Sequence, residues 1–309
     1  MDHVQSALPD VRSLGVLKHY FLVTKPRLVA ANLISAAGGF FLAAQGHISI
    51  GLFLSVMAGL SCIVASGCVF NNYIDRNIDK DMDRTCGRAL VTGAISQMGS
   101  LVFATSMGLA GAVILWTGTN TLALAMALAG FGVYVVVYSL LLKRTSAYST
   151  VIGSLAGAAP PLAAYCAARN SLDLGAFIVL SIYCLWQIPH SYAITIFRYR
   201  DYAAAALPVM PVKSSIPATK KQIVWHIAAF ILAAQMPTAF GYAGYAYLAS
   251  ATVLGLCWLG MALYGYKTMD DQIWARRLYL FSILTIFILS VMMSIDFATP
   301  PAGPVLLQS

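Results

Sequence analysis

Apolar residues fill this chain in blocks too long and too uniform for the one-sided helices of a water-soluble fold. Nine blocks, near 28–45, 50–72, 98–117, 119–142, 148–168, 173–196, 224–243, 246–266 and 278–297, are each long enough to span about 30 Å of hydrocarbon. Backbone groups in a bilayer core must be paired within the segment, so these blocks read as helices. The pattern predicts an all-α polytopic membrane protein with about nine transmembrane helices. A short amphipathic or disordered lead-in over 1–24 precedes a single transmembrane domain over 25–298, and 299–309 forms a short tail. The lead-in lacks a positive start followed at once by an apolar run, so no cleavable signal peptide is expected.

Polar residues between the blocks are distributed asymmetrically. Of 19 Lys and Arg residues, 18 fall before block 1 or after blocks 2, 4, 6 and 8, and only Arg169 lies on the other side. The positive-inside rule assigns the rich side to the cytoplasm. The N-terminus is then cytoplasmic and the C-terminus periplasmic, as an odd number of spans requires. Polar density concentrates in three loops of that side, 73–97, 143–147 and 197–222, so the helices are expected to surround a central cavity that opens to the cytoplasm. The long loops follow blocks 2 and 6, which suggests a duplicated four-helix unit.

Composition agrees with this reading and narrows the function. Hydrophobic residues make up 60% of the chain and charged residues 10%, against about 25% charged in typical globular domains. The net charge of +8 therefore reflects topology and anionic lipid rather than nucleic acid. Six cysteines are scattered with no metal-ligand spacing and no haem-attachment motif, which makes them small packing residues.

The segment Asn71–Arg88, NNYIDRNIDKDMDRTCGR, carries the candidate chemistry. All eleven acidic residues of the chain are Asp, and four of them lie between positions 75 and 83. Asn71, Asp75, Asp79 and Asp83 recur every four residues, which predicts one face of a helix. Arg76, Lys80, Arg84 and Arg88 form a parallel basic row. Each Asp at the bilayer centre costs roughly 2.5–3.5 kcal/mol, so these residues must line a watery mouth or hold counter-ions. Ion pairing within the rows accounts for the charges but not for Asn71 and Asn72 at the apolar end. A hard cation such as Mg2+ accounts for both, because it takes carboxylate and amide oxygens and shares the remainder with phosphates and water. Arg84, Arg88, Lys143 and Arg144 are then the groups to hold a diphosphate.

These residues have a family resemblance. NNYIDRNID, the Tyr138–Arg144 stretch YSLLLKR and GSLAGAAPP at 153–161 resemble the UbiA-type intramembrane prenyltransferases. WQIPHSYAI at 186–194 and FRYRDY at 197–202 are similar to their protohaem IX farnesyltransferase branch. The resemblance runs from TKPR at 24–27 to the last block. It implies that Asn71, Asn72, Asp75, Asp79 and Asp83 surround Mg2+ and an isoprenoid diphosphate, with Asp75, Asp79, Lys143 and Tyr138 catalytic. The family's second Asp-rich motif is reduced to Asp201, flanked by Arg198, Arg200 and Tyr202, and Arg198 and Asp201 join the diphosphate set. Positions 77 and 81, Asn and Asp here, depart from the branch's usual residues. The implied substrates are farnesyl diphosphate and haem b, in the inner membrane, with haem-delivery or oxidase-assembly proteins as partners.

His190 carries two readings, a hydrogen-bonded structural group or a contact or axial ligand for haem iron. Trp186 is either packing or a flank for the porphyrin. Tyr138 either reaches the diphosphate or a cationic intermediate through its ring, or belongs to an interfacial aromatic belt. Gly153 and Gly157 form a GxxxG pair, read as a close helix contact. Pro160–Pro161 is expected to break the fifth helix, and Pro189 to open the sixth. Two other functions remain open, prenylation of a quinone precursor and a transporter whose Asp residues line a cation path.

Overall fold

The computed structural model describes residues 15–298; the first part of the lead-in, 1–14, and the tail 299–309 lie outside them. In chain order the helices are α1 (Val16–Val23), α2 (Pro26–Ala44), α3 (Ile50–Asp75), α4 (Ala89–Thr92), α5 (Gln97–Gly118) and α6 (Thr121–Gly132). A π-helical segment, Val133–Leu142, continues α6. Then follow α7 (Ser149–Arg169), α8 (Leu174–Phe197), α9 (Tyr199–Ala204), α10 (Ile216–Ala239), α11 (Tyr245–Tyr264) and α12 (Asp271–Ile295). Among the described residues, nine helices are long and apolar enough to cross a membrane, the fourth being α6 with its π extension. The protein is therefore a multi-pass membrane protein.

Two expected starts shift outward by about two turns, α10 to Ile216 and α12 to Asp271. Each follows a cap that the charged flank supplies: Ser215 Oγ accepts from Ala218 N at 3.3 Å, and Asp270 Oδ1 accepts from Gln272 N and Ile273 N at 2.9 Å. The second half of the lead-in is helical, because α1 occupies Val16–Val23.

Two layers of packing surround the interior. One is built from α7, α8, α10, α11 and α12, with Trp258, Tyr165, Tyr183 and Tyr247 fully buried. The other joins α2, α3, α5, α6 and α7 through small residues such as Ala36, Ala123, Ala127 and Ala163. Close approach does the work that hydrophobic burial does in water, since lipid tails are as apolar as leucine. Gly59 of α3 and Gly111 of α5 illustrate it: a Cβ on Gly111 would sit 2.8 Å from the Gly59 carbonyl oxygen.

Pro160 and Pro161 do not break α7, and Pro189 does not open α8; both helices are continuous. All three prolines are buried among neighbouring helices, the setting in which spans tolerate proline. Pro160 and Pro161 still leave the carbonyls of Ala156 and Gly157 without their usual i→i−4 partners.

The loops after α3, the π segment, α8 and α11 gather at one end of the bundle. Ile78 and Met82 of the first pack against Leu207 and Val209 of the third, forming a small apolar cap. Lys220 crosses to the fourth, donating to the Gly265 carbonyl at 2.6 Å and pairing with Asp271 at 2.5 Å.

Candidate active site

The Asp row is not one helix face. α3 ends at Asp75, the chain turns, and Asp79–Asp81 forms a single 3-10 turn. The apolar cap explains the change of course, because Ile78 and Met82 must point to the third loop. Asp79 nevertheless returns to the helix end: its carboxylate accepts from Arg88 Nη1 at 2.6 Å, and its backbone carbonyl accepts from Thr85 Oγ1 at 3.1 Å. Asp83 lies exposed and outside the site.

Asn71 is the hub. Its Oδ1 accepts from Lys25 Nζ at 2.6 Å, and its Nδ2 donates to Asp75 Oδ2 at 2.8 Å and to Ser139 Oγ at 3.0 Å. Lys143 forms an ion pair with the same Asp75 oxygen. The π segment supplies Ser139 and, at its C-terminal cap, Lys143. Its wide turns let Ser139 Oγ donate to the Tyr134 carbonyl at 2.8 Å and Lys143 N to the Tyr138 carbonyl at 2.9 Å, each five residues back. π turns are rare and recur at functional sites. Tyr134 and Tyr138 stack there, centroids 6.1 Å apart.

A chamber of about 270 Å³ is lined by Lys25, Leu28, Asn71, Asp75, Asp79, Met82, Arg84, Arg88, Tyr138, Lys143 and Tyr202. Four cations face two carboxylates, an excess suited to an anion. Burial pushes the Lys25 ammonium down to about 8, with the Arg88 and Lys143 charges acting in the same direction. Burial also lowers Lys143, but Tyr138, the Asp75 charge and its hydrogen bond outweigh that and carry Lys143 above the ordinary lysine value. Lys25 also has a left-handed backbone, φ 55°, directly before Pro26, where extended backbone is the norm. Such strain persists only where surrounding contacts impose it.

A larger cavity of about 760 Å³ adjoins this chamber and shares Leu28, Asn71, Tyr138, Lys143 and Tyr202 with it. Its size lies within the usual range for ligand pockets. One side of the cavity is lined by Leu60, Ile63, Ala127 and Phe131. The other is lined by Trp186, Gln187, His190, Tyr279 and Ile283. Trp186 stacks on His190 with centroids 4.6 Å apart. Gly153 and Gly157 also line the cavity, and they face two different elements. A Cβ on Gly153 would meet the Tyr138 ring, and one on Gly157 would overlap Gln187.

The remaining candidates lie outside both chambers. Asn72 Nδ2 donates to the Val23 carbonyl at 2.8 Å, which ties down the end of α1. Arg144 donates to the Ile74 carbonyl at 2.6 Å, and Arg198 stacks on Phe197 at 4.5 Å. Asp201 is buried in α9. Ser139, Tyr279 and Ser282 escaped the sequence reading, and Lys25 and Tyr202 entered it only as neighbours of other motifs, with no role in the site. Only Lys25 had a local signal, a lysine before an N1 proline at the mouth of the first span.

This fold and site define an intramembrane prenyltransferase. The chain belongs to the UbiA prenyltransferase family, whose model matches residues 32–291. A protein of Edwardsiella ictaluri (strain 93-146) named protoheme IX farnesyltransferase is 56% identical over 292 residues, 94% of this chain and 99% of that protein. Another so named, from Serratia proteamaculans (strain 568), is 55% identical over 292 residues, with the same two shares. Among solved structures, one described for digeranylgeranylglyceryl phosphate synthase has a TM-score of 0.74 at 16% identity, covering 91% of this chain and 99% of that one. A UbiA homolog from Archaeoglobus fulgidus bound to GPP and Mg2+ has a TM-score of 0.69 at 13% identity, covering 89% and 99%. At such identities the likeness is one of fold.

Proposed function

We propose that this protein transfers the farnesyl group of farnesyl diphosphate to a vinyl group of haem b (protohaem IX), making haem O. The vinyl carbon attacks C1 of the farnesyl chain and the C–O bond to diphosphate breaks. Water captures the resulting cation and gives up one proton. The carrying observation is the junction of two chambers, one charged and one apolar, at Asn71, Tyr138, Lys143 and Tyr202. The names of the full-length relatives support the same pair of substrates.

Mg2+ fits the charged chamber. Asp75 Oδ1 is buried with no hydrogen-bond partner, a costly state for a carboxylate oxygen unless a ligand completes it. Among the described residues no three His, Cys, Asp or Glu side chains converge. Asp75, Asp79 and the amide of Asn71 would hold the ion, with diphosphate and water supplying the other positions as Mg2+ prefers. When bound, it would neutralise charge developing on the leaving diphosphate.

The chain's own groups divide the remaining work. Lys25, Arg84, Arg88 and Lys143 hold outer phosphate oxygens, already in place before charge develops. Tyr138 stands where the two chambers meet and presents its ring to the reacting carbon. The side of the cavity lined by Leu60, Ile63, Ala127 and Phe131 takes the farnesyl chain and excludes water. The Trp186–His190 wall takes the porphyrin, with His190 as iron ligand. A transporter site would sit near the midplane on broken helices, whereas Asp75 ends a continuous helix. The Lys and Arg distribution supports a mouth open to the cytoplasm, in a bacterial inner membrane, with haem O passing to the assembly of haem–copper oxidases.

Mass spectrometry of haems extracted after incubation with haem b, farnesyl diphosphate and Mg2+ tests the reading. The expected product is haem b plus one farnesyl group and one water, absent when EDTA is present. Haem left unchanged while farnesyl diphosphate is consumed would overturn the acceptor assignment. A second expectation concerns Gly157→Leu, which pushes Gln187 into the cavity. Turnover should fall about 100-fold, the scale of an ångström-level misplacement, with binding of Mg2+ and inorganic diphosphate unchanged. Full activity in this variant would show that neither substrate passes Gln187.

A further inference from the structure

Ser282, buried in α12, is joined to His190 by two routes. Its Oγ lies 2.7 Å from His190 Nδ1, and its backbone carbonyl accepts from Trp186 Nε1 at 2.8 Å. Trp186 in turn stacks on the imidazole at 30° between planes, and the Tyr279 ring lies 5.1 Å away on a tilt. One residue of α12 therefore holds both members of the α8 pair that forms the cavity wall.

Counting protons gives the tautomer. A serine hydroxyl has one proton and two lone pairs. That proton goes to the Tyr279 carbonyl at 2.6 Å, the back-bond that serines make inside helices. Ser282 Oγ thus meets Nδ1 with a lone pair, and the shared hydrogen belongs to the ring. A neutral imidazole has a single N–H, so Nε2 is bare, and nothing among the described residues bonds to it. An imidazole held through Nδ1–H with Nε2 free is the form in which histidine ligates iron.

We propose that Ser282 is a positioning residue for haem: it fixes His190 as the Nδ1–H tautomer and so presents Nε2 to the haem iron at the cavity wall. This rests on the reading that haem b enters this cavity with His190 as its ligand. Ser282 itself touches neither substrate. Its action is through the imidazole, as outer partners of metal-bound histidines act elsewhere.

The test is binding of ferrous haem b to the purified full-length protein, read by affinity and by the iron–histidine stretching band in resonance Raman spectra. Wild type should show the band and His190→Ala should lose it. Ser282→Ala should shift or split the band and weaken haem binding about 10-fold, the low end for loss of an outer partner. Binding of Mg2+ and farnesyl diphosphate should be unchanged. An isosteric pair makes the same test without depending on how the alanine variant folds: Ser282→Thr should keep the wild-type band, and Ser282→Val should shift it. Identical bands in threonine and valine variants, at wild-type affinity, would overturn the role of Ser282 alone. A band that survives in His190→Ala would overturn the ligand assignment and with it this proposal. Wild-type protein that binds Mg2+ and farnesyl diphosphate but no haem would overturn the haem reading itself.

Discussion

Asp75→Asn is expected to lower turnover at least about 100-fold while the protein still inserts in the membrane. The carboxylate has two separate duties. Its Oδ2 is held by Asn71 and Lys143, and its Oδ1 is buried without a partner. The substitution removes the negative charge that would draw Mg2+ to Oδ1. Electrostatic groups aimed at a transition state are typically worth 10²–10³ in rate. It also leaves Lys143, a partly buried cation, with a neutral neighbour. Removing one partner of a buried pair costs on the order of 3–5 kcal/mol, and an amide oxygen that still accepts from Lys143 keeps the loss at the low end. Two measurements separate the duties. Single-turnover product formation reads the chemistry, and the thermal shift produced by Mg2+ with inorganic diphosphate reads the metal. Both should collapse in Asp75→Asn. Retention of more than a tenth of the wild-type rate, or of the full Mg2+ shift, would remove Asp75 from the metal site.

How far the sequence reached depends on whether the signal was local. Helix-forming blocks are local, and nine of them emerged with most ends within a turn, because length and uniform apolarity are enough in a membrane. The grouping of Asn71, Asp75, Asp79 and Lys143 was legible as well, since charge is scarce in such a chain. The geometry of that group was not. Spacing of four treated Asp75, Asp79 and Asp83 as one face, whereas Ile78 and Met82 bury themselves against Leu207 and Val209 and turn the chain away. Two apolar residues inside an acidic run were the visible clue. The π segment left no comparable trace, because its partners are five residues apart rather than three or four. Ser282 was invisible for a different reason: an unremarkable serine in an apolar helix gains a role only from the His190 that stands across from it.

Lys143→Met should have opposite effects on two quantities that usually move together. Turnover should fall about 100-fold, and Mg2+ binding without diphosphate should tighten. The ammonium has three donors; one engages Asp75, and the rest are available to phosphate oxygens in the chamber it lines. A hydrogen bond to a charged group contributes roughly 1.5–3 kcal/mol, so its loss from the departing diphosphate accounts for the fall in rate. The metal behaves differently because Lys143 and Mg2+ would share one carboxylate. Without the lysine, Asp75 keeps only the Asn71 amide as a direct partner, and a divalent cation meets one competing charge fewer in the chamber. A tenfold gain in Mg2+ affinity would add about 1.4 kcal/mol of stabilisation at saturating metal, read as a larger thermal shift than in wild type. Methionine preserves much of the aliphatic stem, so packing around the π segment should hold. Mg2+ affinity that is unchanged or weaker in Lys143→Met would mean that the lysine and the metal do not compete for Asp75, and that the free Oδ1 serves the metal alone.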